Sequence, residues 1–373
     1  MRSNFFRSLF CLTWLGTCLL AQATPVAEIA ALTGRADWRP SASDPWKSAQ
    51  VKQGLEGGHS VQTRELSSMA LLFLTDQTQI KLGAGSLFQI RAAETGTTQV
   101  DLKKGRSWSQ VKNAPPGGVQ VQTPGGVAAI QGTEWAIEVE EDGRTTLTVV
   151  AGQVEFSNSQ GRVSVGSSEQ VTARPGQAPV KHTLVNPRER IQWVAGYPFP
   201  WARYPELQVP FWQALAKQLR AGDQAGALEM LRRQIPDDPL TPLLEVEIRL
   251  TGGDLDGARQ HLKTLSNSSD VRAAALRAEI LMRLDDLPTA RAVLERAPAN
   301  VDTLTARGDL ERLEGHGEAA ATAYTAATEQ APRDFRGWLG RGQVATERED
   351  LAPARGWLEE ALKNAASFIR DRK

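Results

Sequence analysis

One boundary limits what this chain can fold into: the period of its apolar residues changes near Leu207. Before it, apolar and polar residues alternate in short runs, as where Trp135, Ile137 and Val139 alternate with Ala136, Glu138 and Glu140. Period-two alternation sends the two sets to opposite faces of a strand. Glycines such as Gly54, Gly83, Gly105, Gly126 and Gly166 interrupt the runs at short intervals, the spacing of an all-β sandwich or solenoid. After Leu207 the alphabet becomes Ala, Leu, Arg and Glu, and the period becomes helical. A chain of 373 residues is also too long for one small core. The expected fold class is therefore multidomain, β then α. The expected divisions are 1–23 as an export signal, 24–185 as the β domain, 186–206 as a connector rich in Pro and aromatic residues, and 207–373 as helical repeats.

Val119–Gln177 carries the densest β signal. Asp142-Gly143 sits between two alternating runs and suits a tight hairpin, because Gly tolerates positive φ. Three stretches share a local shape: Leu32-Thr33-Gly34 leading to Trp38, Lys103-Lys104-Gly105 leading to Trp108, and Val150-Ala151-Gly152 leading to Phe156. Each is read as a glycine that turns the chain and a large residue that plugs the core. Coincidence in a text rich in Val, Gly and Thr is the alternative.

Thr123-Pro124, then Gln131-Gly132-Thr133-Glu134-Trp135, a hairpin, and Val150–Phe156 around Gly152 together resemble the core of the FecR-type domain, a β-rich module of bacterial envelope proteins. Gly132, Thr133, Trp135 and Gly152 are the motif positions, with structural roles. The family's pattern has a basic residue before Gly-Thr, where this chain has Gln131. The likeness runs from about Ala27 to Gln177. The best-known FecR-type proteins relay an iron-uptake signal to a sigma factor and carry a cytoplasmic segment. Here the β domain directly follows the export signal, which speaks against direct sigma-factor control.

In the helical part, Leu304, Gly308, Ala320, Tyr324 and Ala327 recur 34 residues later as Trp338, Gly342, Ala354, Leu358 and Ala361. The spacing and residue types resemble the tetratricopeptide repeat. Small residues let two helices approach, and Leu, Tyr or Trp fills the groove between them. About five helix pairs are expected, beginning near Leu207, Pro239, Val271, Val301 and Phe335. Stacked pairs form a solenoid whose concave face would hold a protein segment; a rigid spacer is the alternative.

Met1–Ala23 has basic residues, a short apolar run and a small-residue cleavage site ending Ala21-Gln22-Ala23, the pattern of a secretory signal. An uncleaved anchor or a lipid on Cys18 are the alternatives. The apolar run falls short of the roughly 20 residues a spanning helix needs, and Thr17 suits lipidation poorly. No stable transmembrane segment is expected, and the location is periplasmic. Both cysteines, Cys11 and Cys18, lie in this segment, so the mature chain has no disulfide and no thiol chemistry.

Lys and Arg total 43 and so do Asp and Glu, which gives no basic footprint for nucleic acid. His59, His182, His261 and His316 fall in no metal-binding spacing, and no nucleophile elbow or phosphate loop is present. Glu138, Glu140, Glu141 and Asp142 read as a solvated hairpin tip. The expectation is no enzyme, no metal and no cofactor. Trp193 and Trp201, among the connector rings, are candidates for an aromatic docking strip; the alternative is that these rings pack on the neighbouring domains. The function expected is a non-catalytic periplasmic scaffold, with a β domain for an envelope ligand or partner and a solenoid for protein–protein interaction. A periplasmic sensor of a signalling system and a protein that binds cell-wall glycan are the alternatives.

Overall fold

The computed structural model describes residues 24–91, 97–111, 116–184, 187, 191–194, 199–235 and 237–370. The expected export signal at 1–23 lies outside them. So do Asn186 and residues 188–190 of a short helix that Asn186 as cap and Pro187 at the first position suggest over Arg188–Val194; its last turn, Gln192–Val194, is a 3-10 turn.

The β half is two sheets sharing one strand. The first sheet orders Gly54–Leu55, Ala27–Thr33, Ser68–Phe73, Gln79–Leu82, the end of Thr98–Gln110, Glu134–Val139, Thr145–Ala151, Glu169–Ala173 and Val180–Thr183. The second orders Lys47–Ser48, Ala36–Arg39, Ser60–Thr63, Leu87–Ile90, the start of Thr98–Gln110, Val119–Thr123, Gly126–Ile130, Gln153–Asn158 and Gly161–Gly166. Pairing is antiparallel except between Thr98–Gln110 and Val119–Thr123, which run parallel. Neither sheet closes among the described residues. One core lies between them, with Ile29, Leu71, Trp135 and Val149 from the first sheet against Phe88, Val100 and Phe156 from the second.

The chain changes sheet at glycines. Gly34, Gly105 and Gly152 have φ of +74°, +89° and +87°, a region that L side chains enter at a cost. Each marks a passage between the two sheets. At each, an added Cβ would lie within 2.5 Å of a Ser or Thr, namely Ser67, Ser86 and Thr133. The large residues that follow behave differently from one another. Phe156 is fully buried in the core, and Trp38 packs against its margin. Trp108 departs from the expected plug: it packs on the opposite face of its sheet, beside Ile191 and Val194 of the connector.

The helical half has five helix pairs among the described residues. They are Val209–Arg220 with Gln224–Gln234; Thr241–Thr251 with Leu255–Gln260 and Leu262–Ser266; Ala273–Arg283 with Leu287–Arg296; Val301–Leu313 with Gly317–Gln330; and Phe335–Glu347 with Leu351–Arg370. A left-handed residue closes the first helix of every pair: Gly222, Gly253, Asp285, Gly315 and Glu349. In the first three pairs the next residue, Asp223, Asp254 or Asp286, caps the following helix by accepting from a backbone N–H. The second pair's return helix is interrupted at His261.

Candidate functional site

Around the FecR-like motif, Gly132 (φ +65°) and Gly152 bracket the Thr133 side chain. Thr133 is buried, and its carbonyl accepts from Val111 N–H at 3.1 Å. Trp135 is fully buried. The four motif residues thus form one corner of the sandwich. Gln131, at the family's basic position, is exposed.

In the repeats, Tyr324 is fully buried between two glycines. A Cβ at Gly308 or Gly340 would come within 2.5 Å or less of its ring. Its hydroxyl donates to Asp309 Oδ1 at 2.6 Å. Ala320, Ala327, Ala354 and Ala361 are buried, and Leu304 is half-buried. In the last pair Gly342 admits Leu358, which stays 37% exposed. The Trp338 indole N–H donates to Pro332 O.

Among the described residues the connector does not form an exposed aromatic strip. Trp193 is 6% exposed; its ring lies 3.2 Å from where a Cβ on Gly83 would stand, and its backbone is against Gly253 of the second pair's turn. Trp201 is half-buried between Phe199 and Trp212, with ring centroids 4.2 and 5.0 Å away. Trp193 is taken up by the chain's own packing and Trp201 partly so, which is the alternative reading of these rings, and this arrangement lends no support to an aromatic docking strip or to glycan stacking. The halves meet further where Lys81 Nζ donates to Val194 O and Arg249 approaches Glu65 at 3.6 Å.

A buried charge cluster follows. Arg203 in the connector bonds Glu247 Oε1 at 2.5 Å, Asp302 Oδ1 at 3.1 Å and Glu279. These carboxylates come from the first helices of the second, third and fourth pairs. Arg336, on the first helix of the fifth, also bonds Asp302 at 2.6 Å. Burial and the neighbouring Glu279 push the Glu247 carboxyl above its ordinary range. For Glu279 and Asp302, burial pushes up, but the adjacent guanidinium groups outweigh it and hold both below. Sequence reasoning missed this cluster. The signal was spacing: Glu279 lies 32 residues after Glu247, and Arg336 lies 34 after Asp302.

Pair one touches the β domain through Gly222 against Thr33, and pair two meets the connector through Gly253 against Trp193. At pairs three and four the halves separate into a cleft of about 530 Å³, continuous with a smaller recess that reaches Trp193. One wall is the outer face of the first sheet, with Arg144, Gln170, Thr172 and His182; the other is the turns carrying Asp285 and Glu314. Glu138 lines the smaller recess rather than the hairpin tip, and it bonds Arg106 at 2.5 Å. Burial would raise its carboxyl, but the Arg106 charge prevails and holds it low. Glu140 also faces the recess, paired with Arg144. Glu141 is 85% exposed at the hairpin tip. Polar groups of both halves therefore converge on one space, where the sequence suggested two separate surfaces. At its margin Glu311, Glu314 and His316 place ligand atoms within 4.8 Å of one another, and Arg291 already bonds both carboxylates.

Residues 60–155 match the family model described as FecR protein, so the β half is of FecR type. No curated protein matches the chain. Among solved structures, a provisionally assigned anti-sigma factor from Parabacteroides distasonis is 18% identical over 33% of this chain, with a TM-score of 0.30. The match spans 59% of that protein's length. MamA from Desulfovibrio magneticus is 19% identical over 42% of this chain and 94% of its own, with a TM-score of 0.30. A tetratricopeptide protein of Thermus thermophilus, TTC0263, is 17% identical over 43% of this chain and 94% of its own, with a TM-score of 0.37. The tetratricopeptide-like character of the helical half rests on its own paired helices and the 34-residue spacing. No described helix is long and apolar enough to cross a membrane.

Proposed function

We propose that this chain is an exported, non-catalytic scaffold of the cell envelope that holds a protein partner between its FecR-type domain and its helical stack. The observation that carries this reading is the cleft that both halves line. Interdomain clefts are common places for binding. Ionisable groups in it are committed to ion pairs, Glu138 with Arg106, Glu140 with Arg144 and Glu314 with Arg291. Paired groups of this kind supply charge and shape rather than a proton at neutral pH. The working divisions are 24–185, 186–206 and 207–373, with the signal at 1–23 removed in the periplasm.

The test is photo-crosslinking in the periplasm, with a crosslinking residue at His182 in the cleft and, as control, at Arg355 on the last helix. Capture of one defined protein from His182 and not from Arg355 is the expected result. Turnover of a substrate by the purified chain, or capture from neither position, would overturn it. A captured partner that is an inner-membrane protein would make the scaffold the outer part of a signalling system.

A further inference from the structure

We propose that the last two helix pairs bind a small organic acid, one carboxylate on an apolar or aromatic body, and that Arg341 is its anchor. The site shares no lining residue with the cleft or the recess and goes beyond the scaffold reading.

A pocket of about 310 Å³ lies between the second helix of the fourth pair and both helices of the fifth. Ala321, Val344, Ala345 and Trp357 give it apolar walls, and Arg341 gives it a cation. That volume is at the small end of the range for ligand sites, which suits a small molecule rather than a protein segment.

The Arg341 guanidinium stands over two indoles, 4.4 Å from the ring centroid of Trp357 and 5.0 Å from that of Trp338. Trp338 is itself held by its bond to Pro332 O. A guanidinium held over ring faces is positioned while its N–H donors stay available for a carboxylate. Nη1 donates to Thr328 Oγ1 at 3.3 Å, and among the described residues Arg341 has no carboxylate partner. Burial pulls its charge below the ordinary arginine value, and Glu329 offsets only part of this. Arg272 and Arg291, bonded to Asp270 and Glu311, are held above theirs. A cation drawn partly out of water without a counter-charge is unfavourable, and a bound carboxylate would supply that charge.

The fourth pair shows what such an arginine does without the rings. Arg307, 34 residues earlier, donates to Leu294 O and Ala297 O at the end of the preceding helix. Leu304 and Ala323 stand where the fifth pair has Trp338 and Trp357. With two indoles in place, Arg341 is held over them and beside the pocket. Arg348 also lines the pocket but bonds Glu318, and Asp350 is the one carboxylate among the lining residues. Asp350 would repel a second negative group, so the pocket selects a single carboxylate.

The experiment titrates the mature chain by calorimetry with phenylpropionate, with phenylpropylamine and with benzylsuccinate. Phenylpropionate is expected to bind, the amine not, and the dicarboxylate more weakly than phenylpropionate. Arg341→Gln is expected to weaken phenylpropionate binding by about tenfold or more, the scale of a lost charge-assisted bond. Its melting temperature should change little, because no ion pair is broken. Ala321→Leu, which fills the pocket and leaves the charge in place, is expected to abolish binding. No heat from phenylpropionate, preference for the amine, or full binding by R341Q overturns the assignment. If R341Q also lowers the melting temperature, A321L decides: retained binding in a folded A321L overturns the site, and lost binding supports it.

Discussion

At the scale of single residues, the sandwich depends on what its corner glycines lack. Gly105 and Gly132 both have positive φ, but their surroundings differ. A Cβ on Gly105 would lie 2.5 Å from Ser86 backbone, whereas one on Gly132 would meet nothing within 4 Å. Gly105→Ala is therefore expected to cost about 3 kcal/mol, from backbone strain together with overpacking. Gly132→Ala is expected to cost about 1 kcal/mol, from strain alone. Urea unfolding of the two variants gives both values; equal losses would show that packing at the corner is irrelevant. Such glycines were legible in the sequence because glycine enters positive φ without the strain that other residues meet there. The destination of the next large side chain was not. Trp38, Trp108 and Phe156 follow their glycines at similar distances, yet which face each occupies depends on strands paired from far along the chain. The same holds for Glu138, whose partner Arg106 is 32 residues away.

At the scale of elements, the helix pairs were legible because packing at close crossings demands small residues at fixed spacing, as at Gly308, Ala320 and Ala327 around Tyr324. What the sequence did not show is that the connector contributes to the stack. Arg203 places one cation among three buried carboxylates on three successive first helices. Arg203→Ala removes the only guanidinium bonded to Glu247 among the ion pairs described and leaves Asp302 to Arg336 and Glu279 to Arg283, and is expected to cost about 3–5 kcal/mol. The pH dependence has a definite sign. Glu279 and Asp302 have folded values below their ordinary ones, so their contribution is present above the ordinary carboxylate range, about 4. It is lost as pH falls through the folded values. Glu247, shifted upward, acts oppositely: its contribution is full below that range and is lost as pH rises through its folded value. Asp302→Asn should therefore flatten the acid limb of the melting-temperature profile. An acid limb unchanged in D302N would mean that Asp302 titrates as it does in the unfolded chain.

At the scale of the whole molecule, the question is whether two halves of different architecture unfold as one. The sequence placed their boundary by a change of period, and that signal carries no information about contact between them. Contact is decided by a ring the sequence marked only as one of several. Trp193 fills the space between Gly83 on the first sheet and Gly253 at the second pair's turn, beside half-buried Trp108. A Cβ on Gly83 would stand 3.2 Å from the indole, closer than ordinary contact, whereas one on Gly253 would meet the Trp193 backbone O at 3.4 Å, so the tight side of the fit is the indole against the sheet. Truncating a buried Trp costs about 3–5 kcal/mol, and here the loss is shared between the joint and the core of the helical half, to which Trp193 also belongs. The unaltered chain should melt in a single calorimetric transition. Trp193→Ala should split it in two, with the separated β and helical halves each keeping its own core, and should also weaken any ligand held in the cleft by releasing one wall from the other. A single transition in W193A at unaltered temperature would mean that the joint is held elsewhere, with the Lys81–Val194 and Arg249–Glu65 contacts the next to remove.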